Sequence, residues 1–209
     1  MKTLIIGSSG FVGTSLKKML EGNQRDIIGT YFKNDNDKEN TFFLYLKDFN
    51  SVDKLISKIK PDEVINLSGS MNKNFFDEIL STNIISSINL YESLLKNKIN
   101  PKLISVSSSA QYGIQNHKNP VRESDPRNPV NIYGISKMAQ EKISNLYYQK
   151  GLNIVTVVPF NLIGPGISAN LLPGRIIQQF REILSKKKKK LVLGNSSTGN
   201  TFTPKIFSL

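Results

Sequence analysis

The sequence predicts an α/β fold in which a parallel β-sheet is covered by helices on both faces. Short apolar runs typical of buried strands alternate with amphipathic segments along the chain. A glycine-rich turn from Gly7 to Gly13 directly follows the first apolar run. Strands that alternate with helices are typical of a doubly wound parallel sheet, and 209 residues suffice for one well-packed domain.

Composition and charge exclude several classes of function. The chain has no cysteine, and its single histidine, His117, has no partner at metal-ligand spacing, so we expect no metal site. Residues 175–209 carry +7 of the formal charge of +12. Lysines without interleaved aromatics are more typical of a solvated segment than of specific nucleic-acid binding. We see neither a signal peptide nor a membrane span, and we expect a cytoplasmic protein.

The first strand, glycine turn and helix predict a Rossmann-like dinucleotide site. Thr3–Ile6 is a short apolar run, and glycines follow at positions 7, 10 and 13 before an amphipathic segment. Glycines allow a sharp turn, close approach of a pyrophosphate and tight packing of the helix on the strand. The spacing G-x-x-G-x-x-G differs from the G-x-G-x-x-G fingerprint, so its position after an N-terminal strand carries much of the prediction.

The end of the second predicted strand, 27–32, bears on cofactor choice. An aspartate at this place would bind the 2′-hydroxyl of NAD, whereas this chain has Tyr31, Phe32 and Lys33. Lys33 could pair with a 2′-phosphate, which favours NADP(H), although NAD(H) remains an alternative because Lys33 could equally be a surface lysine.

The remaining elements follow the same alternation. Ser68, Gly69 and Ser70 follow a strand and would let the backbone lie along a dinucleotide. Asn83, inside a long helical pattern, is either a buried hydrogen-bonding residue or an exposed one. Apolar spacing and the positions of Pro and Gly predict strands at 42–46, 64–67, 103–106 and 153–158, and helices at 52–59, 75–97, 133–149 and 171–184.

A serine cluster and a Tyr-x-x-x-Lys pair are the candidate catalytic groups. Ser107 to Ser109 follow the strand at 103–106, where parallel sheets carry ligands, although serines are also common in turns. Tyr133 and Lys137 are one helical turn apart and face the same way. An ammonium beside a phenol lowers the pKa of the phenol, so we expect Tyr133 to exchange protons closer to neutral pH.

In this order, the motifs resemble those of the extended short-chain dehydrogenase/reductase family, the NAD-dependent epimerases, dehydratases and reductases of nucleotide sugars. The run Ser-Ser-x-x-Tyr-Gly from Ser108 and the run 159–166 are most similar to GDP-6-deoxy-mannose reductases. The resemblance implies an NAD(P)-binding Rossmann domain at 1–166 and a remnant of a substrate-binding lobe at 167–209.

The resemblance also implies roles for individual residues. Tyr133 would be the general acid/base, Lys137 would lower its pKa and hold the nicotinamide ribose, and Ser108 would hydrogen-bond the reacting oxygen. The implied cofactor-binding residues are Gly7, Gly10, Phe11, Val12, Gly13, Tyr31, Lys33, Asp48, Phe49, Ser68, Gly69, Asn83, Tyr133, Lys137 and Pro159. The implied substrate-binding residues are Ser70, Ser109, Asn161 and Arg175.

The type of reaction and the extent of the chain follow from departures from the family pattern. A dehydratase needs an acidic pair after Ser108, which Ser109 and Ala110 do not supply, so a reductase or epimerase is favoured. The family's long C-terminal substrate lobe is expected to be largely missing. Two hypotheses therefore stand: an NAD(P)-dependent nucleotide-sugar oxidoreductase, or a truncated, catalytically inactive nucleotide-binding protein. The resemblance also implies a homodimer through the helices at 75–97 and 133–149.

Overall fold

The computed structural model describes residues 1–21, 25–32, 40–71, 75–114, 120–192 and the backbone of 202–204. Lys33 and His117 lie outside these residues. Contacts between Cα atoms divide the chain into two compact units, one from Met1 to Pro159 and one that begins at Phe160. The predicted boundary at residue 166 lies inside the second of these units.

A parallel sheet of six strands forms the centre of the first unit and confirms the predicted α/β fold. Its strand order is β3-β2-β1-β4-β5-β6, and every neighbouring pair is parallel. The order reverses direction at β1, which places the carboxyl ends of β1 and β4 beside each other as in doubly wound sheets. The strands are β1 (Lys2–Ile6), β2 (Asp26–Tyr31), β3 (Thr41–Phe43), β4 (Glu63–Asn66), β5 (Lys102–Val106) and β6 (Ile154–Val157).

Helices follow the strands in the predicted alternation, with one difference. The segment 75–97, predicted as one helix, consists of a short α-helix, a π-helical turn at Ser81–Ile85 and a second α-helix. No helix among the described residues is both long and apolar enough to cross a membrane. The helices of the first unit are α1 (Phe11–Glu21), α2 (Phe49–Ile59), α3 (Phe76–Leu80), α4 (Ser86–Lys96) and α5 (Ile132–Gln149).

The two faces of the sheet are packed unequally. On one face, alternate strand residues such as Leu4, Ile6 and Val64 form a large apolar core with residues of α2, α4 and α5. On the other face, Ile5 and Ile27 pack with residues of α1 in a smaller cluster. Full burial of such a side chain contributes about 1.5–3 kcal/mol, so the larger core accounts for most of the apolar stabilisation.

The second unit contains elements that are local to it. Strand β7 (Asn161–Ile163) pairs in parallel with β8 (Phe202–Pro204), a pairing that the sequence did not predict. Helix α6 (Leu172–Leu184) matches its predicted position. The Gln179 side chain accepts a hydrogen bond from the Val192 amide (2.8 Å) and donates one to the Val192 carbonyl (3.0 Å), which anchors the segment after α6 to this helix.

Candidate active site

The turn between β1 and α1 requires glycine at two positions. Gly7 has a φ of +80°, in the left-handed region that favours glycine. A Cβ at position 13 would lie 2.3 Å from the Gly7 carbonyl oxygen, closer than non-bonded atoms approach. The Gly10 amide donates to that same carbonyl at 3.1 Å and closes the turn. Helix α1 can therefore begin directly against the end of β1 only because these side chains are absent.

Thr30 at the end of β2 holds the glycine turn in place. The Gly7 amide donates to the Thr30 hydroxyl at 3.1 Å. Both the amide and the hydroxyl of Ser8 donate to the Thr30 carbonyl, each at 3.1 Å. The turn is thus attached to two adjacent strands at the carboxyl edge of the sheet, the edge at which ligands bind in this type of fold.

A cavity of about 730 Å³ opens at this edge. Its volume lies in the usual range for small-molecule and cofactor sites, roughly 300–1,000 Å³. The predicted cofactor residues Gly7, Gly10, Tyr31, Ser68 and Gly69 line it, together with the predicted substrate residue Ser70. Other lining residues include Ser9, Thr30, Phe32, Leu44, Tyr45, Leu46, Lys47, Phe75, Asp77, Glu78, Ser81, Thr82 and Ser86.

Asn83 in the π-helical turn holds Ser70, which forms the floor of the cavity together with Ser68 and Gly69. Asn83 is fully buried, which decides between the two alternatives in favour of a hydrogen-bonding residue. Its Oδ1 accepts from the Ser70 amide at 2.8 Å, and its Nδ2 donates to the Ser70 carbonyl at 3.0 Å and to the Ser136 hydroxyl on α5 at 2.8 Å. π-Helical turns are frequent at functional sites because they redirect side chains. Here the redirected amide joins the floor to α5.

Ser108 and Tyr133 meet beyond the end of β5. Ser108 caps the 3₁₀ turn Ser109–Tyr112 by accepting from the Ala110 amide at 3.3 Å, and its side chain is hydrogen-bonded to Tyr133. The Asn131 side chain caps α5 by accepting from the Gly134 amide at 2.8 Å, so Tyr133 lies in the first turn of this helix. The cap of the 3₁₀ turn and the cap of α5 therefore bring together the hydroxyls of Ser108 and Tyr133, the two predicted catalytic hydroxyls.

The pKa of Tyr133 shifts in the direction opposite to the expected one. Burial raises this pKa above its ordinary value of 10.0, while the hydrogen bond from Ser108 acts in the lowering direction. The expected lowering by Lys137 is not among the causes, and the Lys137 ammonium donates to the Val106 carbonyl and to Gln140. In this structure the Tyr133 phenol is accordingly protonated at neutral pH.

Lys137 is buried, with 4% of its surface exposed. Its Nζ donates to the Val106 carbonyl at 3.0 Å and to Gln140 Oε1 at 2.9 Å. Burial lowers the pKa of Lys137 from 10.5 to about 8. A Cβ at position 69 would lie 3.2 Å from Nζ and 3.3 Å from Asn83 Oδ1. The absence of a side chain at Gly69 thus leaves the ammonium directly beside the cavity floor.

Other predicted cofactor residues lie around the cavity without lining it. Phe11 and Val12 begin α1. The Asp48 carboxylate caps α2 by accepting from the Asn50 and Ser51 amides at 3.2 and 2.9 Å, and the Lys96 ammonium lies 5.2 Å from the Phe49 ring centroid.

The remaining predicted residues fall on both sides of the division between the units. The Pro159 carbonyl accepts from the Ser109 amide at 3.0 Å at the end of the first unit. Asn161 lies on β7 and Arg175 is exposed on α6, both in the second unit.

Two features of the site were not predicted from the sequence. Phe32 stacks between Phe43 and Tyr45, with ring centroids 6.1 Å from Phe43 and 5.4 Å from Tyr45, and Phe32 and Tyr45 line the cavity. Lys47 is the one basic side chain among the described residues that line the cavity. The stretch 42–46 was predicted as a strand, and a strand pattern does not reveal that the strand ends at Phe43 and that the next residues line a cavity.

The sheet order and the glycine turn define a Rossmann-like α/β protein with a dinucleotide-sized cavity. Residues 3–202 match the model of the NAD dependent epimerase/dehydratase family. The chain belongs to this family. The motif-based resemblance to the family is thereby confirmed.

Individual relatives agree with this assignment. The chain is 31% identical over 208 residues to the GDP-6-deoxy-D-talose 4-dehydrogenase of Aggregatibacter actinomycetemcomitans, covering 97% of this chain and 65% of that protein. The fold of this chain matches that of RMD from Pseudomonas aeruginosa complexed with NADPH, with a TM-score of 0.84 and 22% identity over 98% of this chain and 70% of the other. The fold also matches that of the Thermus thermophilus UDP-glucose 4-epimerase complex with NAD, with a TM-score of 0.79 and 22% identity over 89% of this chain and 63% of the other.

Proposed function

We propose that this chain is an NAD(P)-dependent nucleotide-sugar oxidoreductase of the 4-keto reductase or epimerase type. The observation that carries the proposal is the hydrogen-bonded pair of Ser108 and Tyr133 together with the buried Lys137 ammonium beside Gly69. The named activities of the relative from A. actinomycetemcomitans and of the T. thermophilus protein support the substrate class.

The residues fit a dinucleotide along the cavity. The bare backbone at Gly7 and Gly10 suits close approach of a pyrophosphate, and the missing side chain at Gly69 leaves room beside Lys137. A Cβ at Gly69 would fill this room, which makes the position a test of the fit. When bound, a nicotinamide cofactor supplies or accepts the hydride.

The protein's own groups would handle the proton and the developing charge. Because burial raises its pKa, the Tyr133 phenol holds a proton that it can donate to a sugar carbonyl oxygen as that oxygen gains charge. The Ser108 hydroxyl, bonded to Tyr133, would hydrogen-bond the same oxygen. The Lys137 ammonium would hold a ribose hydroxyl through its remaining N–H group.

Two measurements test the proposal in sequence. NADPH and NADH binding are measured first by fluorescence titration, and turnover is then measured with UDP-, GDP- and dTDP-sugars, beginning with GDP-6-deoxyhexoses. We expect Tyr133→Phe to lower turnover by about 10²–10⁴-fold and to leave cofactor affinity nearly unchanged. Equal turnover by Tyr133→Phe would overturn the assignment. Cofactor binding without turnover of any sugar would support the inactive nucleotide-binding alternative.

The preference for NADP(H) over NAD(H) is part of the proposal. Lys47 lines the cavity and, with Lys33 predicted from the sequence, would supply positive charge for the 2′-phosphate that distinguishes NADP(H) from NAD(H). We expect Lys33→Asp or Lys47→Asp to weaken NADPH binding by about tenfold and to leave NADH binding little changed. If neither variant changes the ratio of the two affinities, the preference does not depend on these lysines.

A homodimer through the helices at 75–97 and 133–149 completes the proposal. Support comes from large apolar side chains exposed on α5, namely Ile135, Leu146 and Tyr148, with 41, 51 and 62% of their surfaces exposed. Contiguous exposed apolar patches are typical of interfaces, and Ile135 and Leu146 lie on the same side of α5. Light scattering should give the mass of two chains for the wild type and of one chain for Leu146→Glu. A monomeric wild-type protein would exclude the dimer.

A further inference from the structure

Gln140 lies one helical turn after Lys137 and contacts it directly. Its Oε1 accepts a hydrogen bond from Lys137 Nζ at 2.9 Å, and only 1% of its surface is exposed. A buried amide costs free energy unless its polar atoms are paired, so this contact is specific rather than incidental. The sequence motifs imply no role for Gln140.

The other end of the Gln140 amide is held by α4. Its Nε2 donates to the Ser87 hydroxyl at 3.0 Å, and that hydroxyl donates to the Asn83 carbonyl at 3.1 Å. In the opposite direction, the Asn83 side chain donates to Ser136 on α5 at 2.8 Å. Two buried amides, one from each helix, thus connect the cavity floor to Lys137.

This arrangement determines where the lysine ammonium points. Lys137 has three N–H donors, of which one is directed at the Val106 carbonyl on β5 and one at Gln140. The two acceptors belong to different elements and leave the side toward Gly69 for the remaining donor. Without the Gln140 acceptor, only the contact with β5 would orient the ammonium.

We propose that Gln140 is a positioning residue of the active site, which holds the Lys137 ammonium against β5 so that its remaining N–H is directed past Gly69 into the cavity. The consequence for cofactor binding rests on the proposed function. A neutral amide suits this task because it accepts a hydrogen bond without pairing the lysine charge, which stays available to a ligand.

The electrostatic surroundings of Lys137 make the contact measurable. Burial is what lowers the pKa of Lys137 to about 8, so the removal of a hydrogen-bond acceptor should lower it further. The titratable groups on α5 and on the elements packed around it are Asp77 and Glu78 on α3, Tyr91, Glu92 and Lys96 on α4, Lys102 on β5, Tyr112 on the 3₁₀ turn, and Tyr133, Glu141, Lys142, Tyr147 and Tyr148 on α5 itself.

The test is an NMR titration of the full chain labelled with ¹³C at lysine Cε, in which the Lys137 signal is identified by its absence in Lys137→Arg. We expect Gln140→Leu to lower the pKa of Lys137 by about one unit and Gln140→Glu to raise it by at least about one unit. We expect Gln140→Leu to weaken NADPH binding by about tenfold. If Gln140→Leu does not fold, Gln140→Glu, which keeps the side-chain shape, carries the test.

Ser144→Ala is the matched control, since Ser144 is equally buried on α5 and its hydroxyl bonds Tyr91 and the Gln140 main-chain carbonyl but not Lys137. If Gln140 only supported the fold, Gln140→Leu and Ser144→Ala would both lower the thermal stability and would leave the pKa of Lys137 unchanged. An unchanged Lys137 pKa in both Gln140→Leu and Gln140→Glu would therefore overturn the positioning role of Gln140. Because the titration needs no cofactor, a shifted Lys137 pKa in the Gln140 variants would support the contact even if the wild-type protein bound neither NADPH nor NADH, a result that would overturn the proposed function alone.

Discussion

The glycine turn lines the cavity, and the Tyr133–Lys137 region reaches it through the Lys137 ammonium beside Gly69, but the two regions are built in opposite ways. The turn depends on side chains that are absent, since a Cβ at Gly13 would overlap the backbone at Gly7. The Tyr133–Lys137 region depends on buried side chains that must be paired by others, such as Asn83 and Gln140. The first region should therefore respond to added volume and not to pH, whereas the second should respond to pH and to lost hydrogen bonds.

The largest expected effect is that of Gly13→Ala. The added Cβ would lie 2.3 Å from the Gly7 carbonyl oxygen, so the strand and helix must separate. We expect a loss of at least about 3 kcal/mol in unfolding free energy, measured by urea denaturation. Gly10→Ala is the control, since its Cβ would lie 3.2 Å from the same oxygen, and it should cost about 1 kcal/mol. Equal stabilities would show that the turn adjusts to a side chain.

The second prediction concerns the pH dependence caused by Lys137. The native lysine loses its proton near pH 8 and the unfolded one near 10.5, so between these values the unfolded chain binds more protons and stability rises with pH. The wild type should gain about 3 kcal/mol over Lys137→Met between pH 7 and 10.5. Lys142→Met, at an exposed position on the same helix, is the control for the loss of a lysine side chain. A constant difference for Lys137→Met would mean that Lys137 titrates normally.

The third prediction tests the link between the cavity floor and α5. Asn83→Ala removes three hydrogen bonds and leaves the Ser70 backbone and the Ser136 hydroxyl without these partners, at a cost of about 2 kcal/mol. Asn89→Ala, which removes one bond from α4 to the Leu46 carbonyl, should cost about 1 kcal/mol. Denaturation of both variants gives the comparison, and a smaller loss for Asn83→Ala than for Asn89→Ala would contradict the role of Asn83.

The smallest expected effect is that of Ser108→Ala on the pKa of Tyr133. The Ser108 hydrogen bond favours the tyrosinate, so its removal should raise this pKa further. An alkaline titration of ¹³Cζ-labelled tyrosine measures the change, with Ser109→Ala as the neighbouring control. A lower pKa in Ser108→Ala would show that the hydrogen bond favours the neutral phenol instead.

Local patterns in the sequence were sufficient for most of the fold. The six sheet strands and the glycine turn were predicted because apolar runs and glycine spacing reflect constraints between near neighbours in the chain. The break in the helix at Ser81–Ile85 was not predicted, since its apolar spacing resembles that of a continuous helix. The β7–β8 pairing joins segments about forty residues apart, and short runs carry little information about such a partner.

The sequence by itself determined the family, the order of the elements and the identities of Ser108, Tyr133 and Lys137 as candidate catalytic residues, because these depend on residue type and spacing. Only the tertiary structure decided how those groups are held. Burial sets the directions of the pKa shifts of Tyr133 and Lys137, and the partners of Lys137 come from β5 and from Gln140. Burial and pairing depend on which elements pack together in space, and that is decided by the whole core.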